Sequence, residues 1–389
     1  MAVKKTPQKK RKIAFIAGSR GEYGYIRPII EEIQKRSDLD YGLIVSNMHV
    51  LDTFGSSIEE IKKDNLKIHA AIHNTLDGYN HLTMTKSLAI FLLQLPEYLR
   101  QMDADMLVIS GDRGEQLMGA IAGAHMYIPV AHIQAGEISG NIDNLTRHAI
   151  AKYAHLHFAA NKDAARRLIK MGEQSFRVHM VGAPQLDELV QQRVTPAGVL
   201  HKKFDIDRTK PLFLIAQHPV TEEFDKAEHQ IRETFNALDR FGHQSIVVLN
   251  NSDAGSAAMR NFILNNKRPY MRVVSNMPRE DYLGLMRIAD VLVGNSSSGL
   301  LEAPTFKLPA INIGTRQYGR VRGTNVIDVR THSAKAIVAG ITKALSTAFK
   351  KKIKQCTNPY GDGRSARRIV DVLQSTPIDE KLLVKRITY

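Results

Sequence analysis

From Lys12 onward the chain alternates short, unbroken apolar runs with longer stretches whose apolar positions recur at helical spacing. Ile13–Ala17, Leu43–Val45, Ile68–Ile72, Met106–Ile109, Val130–Ile133, Leu156–Phe158 and Val178–Val181 read as strands. Helices are expected between them, at about Tyr25–Lys35, Leu82–Arg100 and Gln116–His125. Runs that are apolar at every position, not every second one, suit strands covered on both faces; intervening helices suit a parallel sheet. A polar stretch, Gln191–Thr209, with Pro196 and Gly198, interrupts the rhythm. It then restarts with strands at Leu212–Ile215, Ile246–Leu249, Val273–Val274, Val291–Val293 and Ala310–Ile313, and helices at Glu222–Phe241 and Arg279–Ile288. The pattern predicts an α/β protein of two doubly wound domains, residues 13–195 and 210–365, hinged near 195–210. Residues 366–389 read as a helical tail that packs back on the first domain. Two such domains facing each other enclose a cleft.

Composition narrows the class further. With 389 residues, 43% of them hydrophobic and 24% charged, the chain is long enough for two cores. The single cysteine, Cys356, rules out a disulfide framework and a thiolate metal cluster, and it fits a reducing compartment. The formal charge is +15, and Lys4, Lys5, Lys9, Lys10, Arg11 and Lys12 supply six of these charges in a basic head, residues 1–12, expected to be solvated and disordered. A second cluster, Lys350, Lys351, Lys352 and Lys354, follows a helical stretch near the end. The head lacks the apolar core of a secretory signal, and no apolar run approaches the ~20 residues that span a bilayer. A cytoplasmic location without a membrane partner is expected. Nucleic acid is a poor fit, because no aromatic side chains are interleaved with the basic ones.

In doubly wound folds, ligands meet the loops that follow the strands, so the chemistry is sought there. Gly18-Ser-Arg-Gly-Glu-Tyr-Gly24 follows the first strand. Its glycines have the wrong spacing for a dinucleotide fingerprint, but a small-residue turn with Arg20 ahead of a helix suits an anion. Ser110-Gly-Asp-Arg-Gly-Glu115 places Asp112 and Arg113 after the fourth strand, where an N-cap role for the aspartate is the plain alternative. The next strand runs into His132, Gln134 and Glu137, followed by Asp143 and by Arg147-His148 on a helix. In the second half, His218 ends one strand, Asn250 to Asp253 ends another, and Gly294-Asn-Ser-Ser-Ser-Gly299 ends a third. Ser296, Ser297 and Ser298 at a helix start offer hydroxyl and N–H groups to a phosphate, and Glu302 on that helix can accept from a ribose. Arg316 and Arg320 lie on a further loop. No P-loop, H-E-x-x-H, C-x-x-C or G-x-S-x-G motif occurs, and the histidines show no metal spacing, so neither a metal nor another cofactor is expected.

Taken together, these residues resemble the hydrolysing UDP-N-acetylglucosamine 2-epimerases of sialic-acid and related nonulosonic-acid biosynthesis. The resemblance runs from Lys12 to about Gly363. It rests on Gly18-Ser-Arg-Gly-Glu-Tyr-Gly, Gly111-Asp-Arg, Ala131-His-Ile-Gln-Ala-Gly-Glu, Asp143 with Arg147-His-Ala-Ile, Met171-Gly-Glu, Val181-Gly-Ala-Pro, His218-Pro-Val-Thr, Asn295-Ser-Ser-Ser-Gly, Arg316-Gln-x-Gly-Arg and Asn358-Pro-Tyr-Gly-Asp-Gly. It implies two Rossmann-like domains facing across a cleft, as in GT-B glycosyltransferases. It also implies elimination of UDP from UDP-N-acetylglucosamine to a 2-acetamidoglycal, then hydration to N-acetylmannosamine. Related substrates would be UDP- or GDP-linked 2,4-diacetamido sugars, and the alternative reaction is glycosyl transfer. The family match makes Asp112, Asp143, Glu137, Gln134 and His218 catalytic candidates. Arg20, Arg113, His132, Arg147, His148, Asn250, Asp253, Ser296, Ser297, Ser298, Glu302, Arg316 and Arg320 become candidates for binding UDP or sugar. A homodimer or homotetramer is implied as well. The chain departs from the family at Gln134, where hydrolysing members commonly carry His and non-hydrolysing ones Glu. It departs again at Asn144, where an acidic residue is usual.

Overall fold

The computed structural model describes residues 10–51, 57–77, 80–138, 142–191, 193–250, 254–275 and 277–388, without the side chain of Arg20. Two parallel sheets organise it. The first contains β1 (Arg11–Ala17), β2 (Leu39–Ser46), β3 (Ile68–Ile72), β4 (Met106–Ser110), β5 (Val130–Ile133), β6 (Leu156–Ala159) and β7 (Val178–Met180), in the order β3-β2-β1-β4-β5-β6-β7. The second contains β8 (Phe213–Ala216), β9 (Ser245–Val248), β10 (Met271–Val274), β11 (Val291–Gly294), β12 (Ala310–Ile313) and β13 (Val326–Val329), in the order β10-β9-β8-β11-β12-β13. Every pairing is parallel, and β1 and β4 are completely buried apart from Arg11 and Lys12. This is the two-sided burial that the unalternated apolar runs require.

Each sheet has apolar side chains on both faces. One face of the first sheet packs Ile13, Phe15 and Val108 against Ile26, Ile29 and Ile30 of the helix Arg20–Ile33 and against Ile369, Val370 and Leu373 of the helix Ser365–Ser375. The other packs Ile16, Leu107 and Ile109 against Phe91, Leu95 and Leu99 of the helix His81–Met102. The chain's last helices thus complete the first sheet's core. The face of the second sheet carrying Leu214 and Leu292 also meets Ala160, Ala183 and Leu186 from the first half.

Some elements differ from the sequence pattern, each for a local reason. The first helix begins at Arg20 instead of near Tyr25, because the Ser19 side chain accepts from the Glu22 N–H and caps it. The expected small-residue turn is therefore largely its first turn. The hinge expected near 195–210 contains a short helix, Ala197–Lys203, anchored by buried Leu200. The helix expected from Glu222 to Phe241 divides into a 3-10 segment, Thr221–Lys226, itself kinked at Glu223, and an α-helix, Ala227–Asp239. The strand β13 alternates buried Ile327 and Val329 with Asp328 and was not expected. The lysine cluster follows the helix Ala334–Leu345, as expected, and Lys350, Lys351 and Lys352 lie on a second short helix, Thr347–Ile353, with Lys354 as its C-cap. Among the described residues, no helix is long and apolar enough to cross a membrane.

Candidate active site

The strand orders reverse twice, between β1 and β4 in the first sheet and between β8 and β11 in the second. Crossover helices diverge at such a point and leave a crevice at the carboxyl ends of the strands. The two crevices open into one cavity of about 650 Å3, bounded by Ser19, Asp112 and Arg113 on one side and by His218, Ser296 and Ser297 on the other. Asp143, Arg316 and Arg320 also line it.

On the first wall, Gly111 has φ +80 and turns the chain out of β4. Asp112 follows with its side chain one-fifth exposed. It is not the N-cap: Arg113 holds that position for the helix Gly114–His125. One Asp112 oxygen instead accepts from Arg147 on the helix Ile142–Tyr153, whose other nitrogen donates to the Gln134 carbonyl at 2.8 Å. Burial would raise the Asp112 pKa, but Arg147, Arg320, Arg113 and Arg316 hold it below the usual carboxylate range. Asp112 is an anion at neutral pH. Asp143, in the first turn of the same helix, reaches the cavity from a neighbouring position.

Several of the expected residues stand behind this wall. His132 is fully buried, and its Nε2 donates to the Gly111 carbonyl at 2.7 Å; burial pushes its pKa down to about 3, so the ring is neutral. Gln134 has φ +58, is 1% exposed, and directs its amide nitrogen 3.3 Å from Gln185 Oε1. Glu137 is buried and accepts from Asn161 at 2.5 Å; burial raises its pKa against the pull of Arg320, Arg147 and Arg167. His148 is half-buried with its pKa lowered by burial, and it does not line the cavity. His132, Gln134 and Glu137 brace Gly111, Arg147 and the loop after β5, while Asp112 and Asp143 line the cavity.

The second wall is pinned by Asn295. Its side-chain carbonyl accepts from the His218 N–H at 2.7 Å, and its amide donates to the His218 carbonyl at 2.8 Å. The loops after β8 and β11 are thereby fastened together. They also approach closely at Gly294, where φ is +142 and a Cβ would lie 2.1 Å from the Ala216 carbonyl oxygen. Only glycine fits. The helix after Ser297 has just four residues, Ser298–Leu301, and Glu302 is its C-cap and not an interior residue. Ser298 is buried and bonds Tyr282 and Ser296 at 2.6 and 2.9 Å, so it braces Ser296. Glu302 is buried beside Arg279 at 3.7 Å, its pKa raised by burial, and Asn250 donates to the Ser256 carbonyl at 3.1 Å; neither lines the cavity. Asp253 and the Arg20 side chain lie outside the described residues.

Two arginines join the walls. Arg320, 8% exposed, donates from the second half to the Ile138 carbonyl of the first at 3.0 Å. Arg279, which the sequence reading passed over, donates to Glu188 and to the Gln185 carbonyl, and it packs so closely on Gly24 that a Cβ there would lie 3.2 Å from the guanidinium. Arg279 follows β10 through Met277 and Pro278, both cavity-lining. The same rule that drew attention to the other strand ends would have found it. Arg113, Arg279, Arg316 and Arg320 all line the cavity and present guanidiniums of the kind that bind a diphosphate.

Known proteins share this design. The family model described as UDP-N-acetylglucosamine 2-epimerase matches residues 31–374. The chain is 36% identical over 380 residues to the UDP-N,N'-diacetylbacillosamine 2-epimerase (hydrolyzing) of Legionella pneumophila, covering 97% of this chain and 100% of that one. It is 30% identical over 336 residues to a UDP-N-acetylglucosamine 2-epimerase of Neisseria meningitidis, covering 86% and 88%. In fold it is similar to the crystal structure of a UDP-GlcNAc 2-epimerase from Neisseria meningitidis bound to UDP-GlcNAc, with a TM-score of 0.81 at 16% identity and 94% and 100% coverage. A match of this length, on a fold with two facing switch points, makes the chain a member of the UDP-N-acetylglucosamine 2-epimerase family.

Proposed function

We propose that the protein is a hydrolysing sugar-nucleotide 2-epimerase that releases UDP and a free 2-epimeric sugar. The observation that carries the reaction class is an anionic carboxylate, Asp112, facing a cavity lined by guanidiniums. A base removes the C2 proton while the C1–O bond breaks, and its electron pair leaves with the diphosphate. The arginines stabilise that charge as it develops. A 2-acetamidoglycal remains. Water then adds its oxygen to C1, and a proton reaches C2 on the opposite face, which inverts that centre.

Asp112 and Asp143 are the acid/base pair in this reading, because both reach the cavity and Asp112 is held ionised. His218, Ser296, Ser297, Arg316 and Arg320 take the diphosphate. Gln134 and Glu137 support the wall. A UDP-linked 2,4-diacetamido sugar is the first substrate to test, on the strength of the 36% identity over essentially the whole chain. UDP-N-acetylglucosamine is the second, supported by the family model and the Neisseria relative.

The test is incubation with each sugar nucleotide in D2O without an acceptor. UDP release with deuterium at C2 of the free sugar is expected. Release without C2 exchange would overturn the epimerase reading, and release that requires an added sugar acceptor would point to glycosyl transfer.

A further inference from the structure

Behind the first wall lies a buried charged cluster that the reaction does not use. Glu173, its side chain fully enclosed, receives Lys385 at 2.6 Å, Lys152 at 3.0 Å and His157 Nε2 at 3.0 Å. Lys385 belongs to the chain's last residues. Besides Glu173, it donates to the carbonyls of Ala151, Lys152 and Ala154, the last at 2.8 Å. These are the carbonyls at the end of the helix Ile142–Tyr153 and just beyond it. A helix's last carbonyls have no partner within the helix and carry its negative pole, so one buried ammonium both satisfies and neutralises them.

The segment bearing Lys385 is itself anchored. Arg177, fully buried, donates to the carbonyls of Lys381, Leu382 and Val384 at 2.8, 2.7 and 3.3 Å. Leu382 enters the first core, and Thr388 donates its N–H to the Gly172 carbonyl at 2.9 Å. The helix capped in this way carries Asp143 at its start and Arg147, the partner of Asp112, in its middle. A second route leads to the same place. His157 on β6 pairs in register with His132 on β5, and His132 holds the carbonyl of Gly111 next to Asp112.

We infer that Lys385 is a positioning residue: the C-terminal segment fastens the helix Ile142–Tyr153 so that Arg147 and Asp143 meet the reacting sugar in fixed geometry. Lys385 does not line the active-site cavity; it acts through the helix. The inference rests on the function proposed above only where turnover is the readout.

The test compares full-length wild type, K385M and K385R. Hydrogen–deuterium exchange needs no substrate and is read first. In K385M, amides of residues 142–153 should exchange roughly tenfold faster while those of β8–β13 stay unchanged; equal exchange in that helix overturns the inference. Turnover is read next, per mole of folded enzyme. In K385M, kcat should fall roughly tenfold with KM within about twofold, and K385R, which keeps charge and donors, should recover most of it. A lower melting temperature with unchanged kcat would make Lys385 merely stabilising and overturn the inference. Wild type that turns over neither sugar nucleotide counts against the proposed function alone, and the exchange result then decides this one.

Discussion

Asp112 and Glu137 are two carboxyl groups whose surroundings push them in opposite directions. Desolvation favours the protonated form at both, at partly exposed Asp112 as at buried Glu137, but four arginines around Asp112 outweigh that cost and the field at Glu137 does not. Asp112→Asn should therefore lower kcat by two or more orders of magnitude, roughly the contribution of a placed general base. Calorimetry should find UDP binding intact, because the variant keeps the diphosphate contacts. Arg147→Met addresses the cause of the ionisation. Arg147 holds the Asp112 pKa down, so its loss lets that pKa rise, and the acid limb of the kcat/KM profile should move to higher pH. An unmoved limb would mean that a different group titrates.

At the scale of elements, the loops after β8 and β11 work as one piece. Gly294 allows their contact, and Gly294→Ala brings a Cβ against the Ala216 carbonyl in a conformation L-residues avoid. The backbone strain alone should cost about 1–3 kcal/mol, and the displaced loops should weaken UDP binding with little change in the first sheet. Denaturant unfolding and UDP titration check this. Strands β5 and β6 make a different prediction. His132 and His157 are neutral when folded, with pKa values pushed down by burial to about 3 and about 4. The unfolded chain takes up protons on these rings below about pH 6.5, and the folded chain does not. Their contribution is full above that pH and is lost as pH falls towards 4. Urea midpoints from pH 7.5 to 5 should fall less steeply for His157→Gln than for wild type.

At the scale of the molecule, the +15 charge divides between the cavity arginines and the basic head, residues 1–12, of which Arg11 and Lys12 form the start of β1 and residues 1–9 lie outside the described residues. Removing residues 1–9 should leave UDP release unchanged, measured at low and physiological salt. The two sheets were readable from the chain because buried parallel strands write themselves as solid apolar runs. The strand-end rule then led to Asp112, His218 and Ser296. What it could not reveal was depth. His132, Gln134, Glu137 and Ser298 follow strands just as Asp112 does, yet they brace the wall from behind. Which side of a loop faces the cavity depends on backbone turns at Gly111 and Gln134 that no pattern encodes. Arg279, just past β10, lay within reach of the strand-end rule; Lys385 did not, because it acts on a helix far away in sequence.

The contact between Arg147 and position 134 has a consequence for how this site could change. The arginine grips the main-chain carbonyl of Gln134 and leaves the side chain out of the bond. Any residue that tolerates the left-handed backbone there offers the same oxygen. Position 134 is thus a socket: its side chain can be exchanged behind the wall while the clamp on Asp112 stays as it is.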